Sequence, residues 1–248
     1  VLDSSALEWL TTKGILTSLK TLDIVLHSKG MSPHSHFLVS FLRSLPPLDD
    51  LTLAGETHSA QCKEWIAFHA SSLKRLQITT MDYRDSTFDL LSLSALMQPP
   101  LPHLEHLRIS IQRTKGDVNE VGIYKILGAM PRLQSIRLGL DSSISTQHTE
   151  FRAQMAKHRS ERDPHVLEPY IVDALVNSAI DEKLAIAIFR TISAAKTSRS
   201  LSLERLEVLP TEGTEYYFRK EWLYVMRHMK RSWAVSYTHL TLPTNARV

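Results

Sequence analysis

The segment Leu104-Glu-His-Leu107-Arg-Ile109 decides the fold, because its pattern Leu-x-x-(Leu/Ile)-x-(Ile/Leu/Val) occurs six times in the chain. The six copies begin at Leu19, Leu48, Leu73, Leu104, Leu133 and Leu203. The intervals between these leucines are 29, 25, 31, 29 and 70 residues. Recurrence at a nearly fixed spacing is typical of a structural unit that stacks on copies of itself. The sequence therefore predicts an array of similar units, interrupted once before the sixth.

Each copy of the motif has the alternation of a β-strand. Side chains two residues apart lie on the same face of a strand, so the fourth and sixth positions of the motif share one face, and the first leucine enters from the preceding turn. One such strand buries little on its own, whereas stacked copies form a continuous apolar core. We expect six strands that pair in parallel and in sequence order.

Between these strands the apolar spacing becomes helical. Helix-like spacing covers residues 36–45, 60–70, 88–97 and 121–130. Prolines follow three of these segments, and proline ends a helix because it lacks the N–H donor and clashes with the preceding turn. The predicted architecture is an α/β solenoid, in which a curved parallel sheet carries the helices on its convex side.

These units resemble the irregular leucine-rich repeats of fungal F-box proteins. The resemblance is carried by residues 44–53, 97–109 and 130–138 and extends over residues 16–209. It implies a protein-interaction module, namely the substrate-recognition region of an F-box-type ubiquitin-ligase adaptor that docks the ligase through a preceding N-terminal region. No F-box sequence lies within the chain, and the asparagine that regularises the turns of the family is absent. A repeat protein that acts as a scaffold, regulator or inhibitor without a ligase link is the alternative.

The domain organisation follows from the same pattern. We expect one domain over residues 1–234, with a polar, charge-balanced insertion at 142–169 and further helices at 170–180 and 183–195. A basic amphipathic helix is predicted at 215–233; it could contact a membrane or a partner, but a helix that caps the open end of the array explains the pattern more simply.

The two ends of the chain have unusual features. The first residue is Val1, which indicates a fragment of a longer protein. Residues 235–244 resemble the translation of a transposase library adapter, so residues 235–248 are expected to be an artefactual tail that adds no strand or helix.

Composition restricts the classes of partner. Lys and Arg number 29 and Asp and Glu 26, a net charge of +3 that does not suggest nucleic-acid binding. The longest apolar run, residues 184–189, is far shorter than the ~20 residues of a membrane-spanning helix. The single cysteine, Cys62, favours a reducing, intracellular location such as the cytoplasm or nucleus.

No motif in the sequence indicates a reaction. His34 and His36 have no companion ligand at a fixed interval, so a zinc site is not expected. Cys62 and His69 fall near one helix face, where a buried structural thiol is a simpler interpretation than a nucleophile. The sequence contains no G-x-S-x-G, P-loop or dinucleotide-binding turn. We therefore expect no catalytic residues, metal or cofactor, and an enzyme is disfavoured.

The best candidate site lies on the outward face of the strands. The third and fifth motif positions should form two rows there, and strands about 4.8 Å apart would bring their side chains together. The candidate partner-binding residues are Arg75, Gln77, His106, Arg108 and Arg137. We expect a basic surface for an acidic or phosphorylated protein, with Arg108 and Arg137 unpaired and adjacent. The alternative is a solvated face on which the arginines pair with local carboxylates such as Glu105.

Overall fold

The computed structural model describes most of the region between the first and the last strand. The described residues are 9, 16–26, 31–55, 59–79, 87–98, 100–142, 172, 175–211, 228–229 and 231–236. The strands are β1 Thr21–Leu26, β2 Asp50–Gly55, β3 Arg75–Thr79, β4 His106–Gln112, β5 Ser135–Asp141, β6 Arg205–Thr211 and β7 Trp233–Ser236. The helices are α1 Met31–Ser44, α2 Ser59–Ala67, α3 Leu90–Leu96, α4 Val118–Ala129 and α5 Glu182–Ala194.

The seven strands form a single sheet in the order β1-β2-β3-β4-β5-β6-β7. The pairs from β1 to β6 are all parallel, and only β7 runs antiparallel to its neighbour. The prediction of six parallel strands in sequence order is confirmed. The chain is an α/β protein built on one mostly parallel sheet.

The motif copies pair without any shift in register. Leu51 lies opposite Leu76, which lies opposite Leu107, and the same column continues through Ile136 and Leu206. All three apolar positions of copies two to six are 2% exposed or less. In the first copy they are only half-buried, since β1 forms the edge of the sheet. The three columns therefore form one continuous core.

A backbone ladder joins successive copies at the start of each strand. The carbonyl of Lys20 accepts hydrogen bonds from the N–H groups of Asp49 (2.9 Å) and Asp50 (3.0 Å). The same double acceptance is made by the carbonyls of Asp49, Lys74, Glu105 and Gln134. Main-chain hydrogen bonds thus hold the turns that precede the strands in register, although the side chains at these positions differ from copy to copy.

Aspartates mark the beginnings of three helices. Asp89 and Ser92 form a reciprocal capping box at α3, Asp117 accepts from two backbone N–H groups at α4, and Asp181 accepts from the N–H of Leu184 at α5. These carboxylates satisfy amide groups that have no partner inside the helix. The predicted helices at 36–45, 60–70, 88–97, 121–130 and 183–195 are confirmed with ends shifted by one to five residues. Within the described ranges, no helix is long and apolar enough to cross a membrane.

The C-terminal prediction requires a correction. A helix was expected to continue to Trp233 and a tail without structure to begin at Val235, but Trp233–Ser236 is strand β7, paired with β6. Val235 is only 4% exposed, and the indole Nε1 of Trp233 donates to the Ile180 carbonyl at 3.0 Å. Val235 becomes buried when its segment pairs as a strand with the open edge of β6, and this gain does not depend on whether the segment is native or artefactual. The rest of the predicted helix at 215–233, apart from residues 228–229 and 231–232, and the insertion at 143–169 lie outside the described residues.

Candidate functional site

One face of the sheet is not covered by any of the helices in the described ranges. Along β4 the burial alternates strictly, with Leu107, Ile109 and Ile111 buried and the residues between them exposed or half-buried. These buried residues pack with the helices in one core. The side chains at the third and fifth motif positions lie on the opposite face of the strands and therefore point away from the helices. We call the surface formed by these two rows the open face.

All five candidate residues lie together on the open face. Arg75 and Gln77 belong to β3, His106 and Arg108 to β4, and Arg137 to β5. The register places Arg75 opposite His106, Gln77 opposite Arg108, and Arg108 opposite Arg137. The expected adjacency of Arg75 with His106 and of Arg108 with Arg137 is therefore confirmed.

Arg137 is paired, which corrects one part of the expectation. Its Nε and Nη2 atoms both lie 2.8 Å from Oε2 of Glu207, the residue opposite it on β6. Arg205 also approaches the same carboxylate oxygen, at 3.8 Å. A parallel register sets fifth-position residues side by side, so a glutamate in that row neutralises its neighbour. Arg108 and Arg137 are adjacent, but they do not form the unpaired couple that was expected.

Arg75 is also paired, on the other flank. Its Nη1 lies 3.5 Å from Oδ2 of Asp50, which is opposite it on β2. The alternative in which arginines pair with carboxylates is thus correct for these two residues, but the partners are cross-strand and Glu105 forms no ion pair with any described residue. The two rows contain four arginines and three carboxylates, so the open face is close to neutral rather than broadly basic.

Three polar side chains remain at the centre of the face. Within the described part of the chain, Gln77, His106 and Arg108 have no side-chain hydrogen bond or ion pair. Partial burial and the neighbouring Arg137 lower the pKa of Arg108, and Glu207 acts in the opposite direction. We call these three residues the central polar cluster.

A buried charged network, which the sequence analysis did not predict, lies beyond the end of β4. Arg113 Nη1 donates to Oε1 of Glu120 at 2.5 Å, and both side chains are almost fully buried. The hydroxyl of Tyr124 donates to the same Oε1 at 2.6 Å, and the backbone N–H groups of Thr114 and Gly116 donate to Oε2. Burial and then the Glu120 charge raise the pKa of Tyr124, so the phenol remains a donor. The spacing Asp117-x-x-Glu120, typical of a helix N-terminus, was the available signal.

The network also holds the segment that precedes α5. Asn177 accepts from Nε of Arg113 through its carbonyl and from the N–H of Lys115 through its side chain. Ser178 donates to Ser142 at 2.9 Å, which joins the two ends of the long connection between β5 and α5. Both oxygens of the Glu120 carboxylate accept hydrogen bonds from other residues of the chain. We therefore assign a structural role to this network, and not a role in binding.

The histidines considered for chemistry do not form a site in the described structure. His69 is 2% exposed and neither ring nitrogen makes a well-formed hydrogen bond, although the Leu42 carbonyl lies nearby. Cys62 is fully buried. The side chains of His34 and His36 lie outside the described residues. Among the described residues, no group of three His, Cys, Asp or Glu could hold a metal ion.

Comparisons with known proteins do not assign the chain to a family. No protein-family model matches it, and neither the curated proteins nor the solved structures provide a significant match.

Proposed function

We propose that the chain is a protein-interaction module of the leucine-rich-repeat type, and that the open face is its binding surface. The central polar cluster is the observation that carries the proposal. Polar side chains on a sheet face usually pair across strands, as Arg75 and Arg137 do. Gln77, His106 and Arg108 have no such partner among the described residues, so their hydrogen-bonding groups are free to contact another molecule.

The shape of the sheet favours a macromolecular partner. The in-register stack from β1 to β6 spreads the two polar rows across six adjacent strands. At about 4.8 Å per strand pair, the rows extend about 24 Å, which suits a protein surface better than a small molecule. On either side of the central polar cluster the arginines form ion pairs within the sheet, Arg75 with Asp50 and Arg137 with Glu207. The partner would therefore find unpaired polar groups at the centre of the face.

A steric test examines the open face independently of its charge. Thr52→Trp and Ser135→Trp place bulky side chains on the face at half-buried positions of β2 and β5. Partners captured from lysate by the wild-type chain should be lost by the double variant and kept by Lys125→Trp, which changes an exposed residue of α4. Circular dichroism and thermal melting should show that all three chains are folded. Equal capture by the double variant would move the binding surface away from the open face.

The resemblance to fungal F-box proteins extends this proposal to substrate recognition for a ubiquitin ligase. Its support is the sequence likeness of residues 44–53, 97–109 and 130–138 to repeats of that family. The test is immunoprecipitation of the gene product from its own cells, followed by mass spectrometry for ligase subunits. A consistent absence of those subunits would favour a scaffold or regulator without a ligase link, and would leave the binding role of the open face unaffected.

A further inference from the structure

The loop between α5 and β6 contains an exposed serine with an arginine three residues before it. Residues 196–204 lie outside the helices and strands, and Arg199, Leu201 and Ser202 are exposed. An arginine at this spacing is the charge that basic-directed protein kinases recognise, through carboxylates beside their catalytic site. Exposed loops are also the segments that modifying enzymes reach most readily. Ser202 therefore has both the sequence context and the accessibility of a kinase substrate.

Two other serines have the same spacing, but the fold makes both inaccessible. The spacing Arg-x-x-Ser occurs three times in the chain, at Ser135, Ser193 and Ser202. The hydroxyl of Ser193 is buried within α5. Ser135 is only half-exposed, and it begins β5, whose backbone pairs with a strand on each side. A kinase binds its substrate as an extended and unpaired segment, so of these three serines the fold leaves Ser202 available.

The alignment of the copies places Ser202 next to Arg132. Ser202 immediately precedes the first leucine of the sixth copy, and Arg132 has the same position in the fifth copy. The carbonyl of Gln134 accepts from two N–H groups of the sixth copy, and the N–H of Leu201 donates to the Pro131 carbonyl at 2.7 Å. Neighbouring copies are about 4.8 Å apart, so the side chains of Ser202 and Arg132 start from adjacent points of the backbone.

Arg132 can turn toward an anion at Ser202. It is exposed, and its Nη1 lies 3.2 Å from Nδ1 of His103, which has the same position in the fourth copy. Side chains at this position therefore reach one another between neighbouring copies. Neither Arg132 nor Arg199 forms an ion pair with a carboxylate of the described residues. Glu204 is the nearest acidic residue in the sequence, but it is exposed and its repulsion of an anion is screened by solvent and salt.

We propose that Ser202 is phosphorylated by a protein kinase that recognises Arg199, and that the phosphoryl group then binds the guanidinium of Arg132. In the transfer, Oγ of Ser202 forms a bond to the γ-phosphorus of a nucleoside triphosphate, and the bond from that phosphorus to the bridging oxygen breaks. A nucleoside diphosphate leaves, and the hydroxyl proton passes to a base of the kinase.

The modification adds a side-chain contact to the backbone ladder between the fifth and sixth copies. Phosphoserine carries about two negative charges, and arginine can donate two parallel N–H groups to it. The ion pair would link the turn of the sixth copy to that of the fifth, across the longest interval in the array. This inference does not depend on the proposed function, because the loop precedes β6 and is not part of the open face.

The first test determines which serine a kinase modifies in the folded chain. The full chain is incubated with ATP and a purified kinase that requires arginine at this spacing, and phosphorylated residues are mapped by mass spectrometry. We expect phosphate on Ser202 and none on Ser135 or Ser193, whereas synthetic peptides around all three serines should be substrates. Arg199→Gln should lower the rate at least about tenfold, as expected for the loss of one hydrogen bond to a charged group. Arg190→Gln, which removes the arginine before Ser193, is the matched control and should leave the rate unchanged.

The outcome at Ser202 decides the assignment of the site. Circular dichroism should show that the arginine variants are folded. An unmodified Ser202 in the wild-type chain, or a rate that Arg199→Gln does not change, would overturn the assignment. Modification of Ser135 or Ser193 in the folded chain would show that the fold does not select among the three serines.

The second test examines the contact with Arg132. Phosphorus NMR follows the titration of the phosphoserine, and a neighbouring guanidinium favours its doubly charged form. The pKa of the phosphoserine should therefore be lower in the folded chain than in a free phosphopeptide of residues 196–204. Arg132→Gln should raise this pKa toward the peptide value, whereas Lys125→Gln, at an exposed position of α4, should leave it unchanged. The same pKa in the phosphorylated wild type and Arg132→Gln would reject the contact with Arg132.

Discussion

Arg137 and Glu207 form a salt bridge between β5 and β6, with two guanidinium nitrogens at 2.8 Å from one carboxylate oxygen. The residues are 70 positions apart in the sequence but directly opposite in the sheet. The pair joins the two strands that flank the longest connection in the array. It also offsets positive charge on the open face, where Arg108 is the arginine that forms no ion pair with a described carboxylate.

The first prediction concerns the coupling between these two side chains. A double-mutant cycle with Arg137→Ala and Glu207→Ala should give a coupling free energy of about 0.5 to 1 kcal/mol, because both groups retain contact with solvent. Urea denaturation monitored by circular dichroism measures each variant. The exchange Arg137→Glu with Glu207→Arg should recover part of the stability that Arg137→Glu alone loses. A coupling free energy of zero would show that the ion pair contributes nothing.

Glu120→Gln should be among the most destabilising single changes in the chain. The amide keeps the shape but removes the charge that compensates the buried Arg113, so we expect a loss of about 3 to 5 kcal/mol in the free energy of unfolding. Tyr124→Phe, which removes one hydrogen bond to the same carboxylate, should cost about 1 kcal/mol. Glu182→Gln, at an exposed position of α5, is the control. Similar stabilities for the two Glu→Gln variants would contradict a structural role for the network.

Two glycines of α4 should respond in opposite directions to alanine. A Cβ at Gly128 would lie 2.3 Å from the carbonyl oxygen of Ile192 and 2.6 Å from Cβ of Ala195, so Gly128→Ala must push α4 and α5 apart. We expect it to cost about 1 to 3 kcal/mol. The nearest atoms to a Cβ at Gly122 would belong to the flexible side chain of Leu90, at 3.0 Å and beyond. The higher helix propensity of alanine should therefore make Gly122→Ala neutral or stabilising by up to about 1 kcal/mol. Thermal melting of both variants checks the contrast.

His69 should make the stability depend on pH. Burial lowers its pKa in the folded state below the ordinary value of 6.5, and the Leu42 carbonyl only partly opposes this effect. Between the folded and unfolded pKa values the unfolded chain binds more protons, so this contribution to stability is fully present above pH 6.5 and is lost as pH falls below it. One such group can contribute a slope of at most about 1.4 kcal/mol per pH unit.

His69→Phe should reduce that slope in urea denaturation series recorded between pH 7.5 and 5. His103→Phe, at an exposed position, serves as the control. Identical pH profiles for the wild type and His69→Phe would show that His69 is not the group responsible.

Strand β7 should divide the C-terminal region into a required and a dispensable part. A chain that ends at Ser236 should melt close to the full chain, as expected for a tail that adds nothing. A chain that ends at Ser232 loses the buried Val235 and the Trp233 hydrogen bond, and should lose about 2 to 3 kcal/mol. Equal stability of the two shortened chains would mean that β7 contributes no net stabilisation.

The order of the sheet could be predicted from the sequence because the motif determines three properties at once. The spacing from Leu104 to Leu107 to Ile109 defines the strand, its buried face and its register with the neighbouring copies. The cross-strand pair of Arg137 and Glu207 could have been foreseen as well, since both occupy the fifth position of consecutive copies. The 70-residue interval between those copies concealed their proximity.

Other features had no equivalent signal. The Arg113 and Glu120 network depends on a turn with positive φ at Lys115 and Gly116, and on Asn177, which lies 64 residues after Arg113. The spacing Asp117-x-x-Glu120 indicated the start of α4, but no local pattern encodes the approach of Asn177 to Arg113. Trp233 was assigned to a helix because the apolar spacing from Phe218 to Trp233 fits a helical stripe, and residues 235–236 were assigned to a tail without structure. The free edge of β6 instead makes residues 233–236 a strand.

The backbone ladder continues unchanged across the longest interval, and this has a consequence for chain entropy. The carbonyl of Gln134 accepts from Glu204 and Arg205 just as the carbonyl of Glu105 accepts from Gln134 and Ser135, although the intervening connection is more than twice as long. Closing a loop of 70 residues rather than 29 costs only about 0.8 kcal/mol more, since the cost grows with the logarithm of length. Lengthening the connection between two strands to this extent therefore costs less free energy than the burial of one leucine side chain provides.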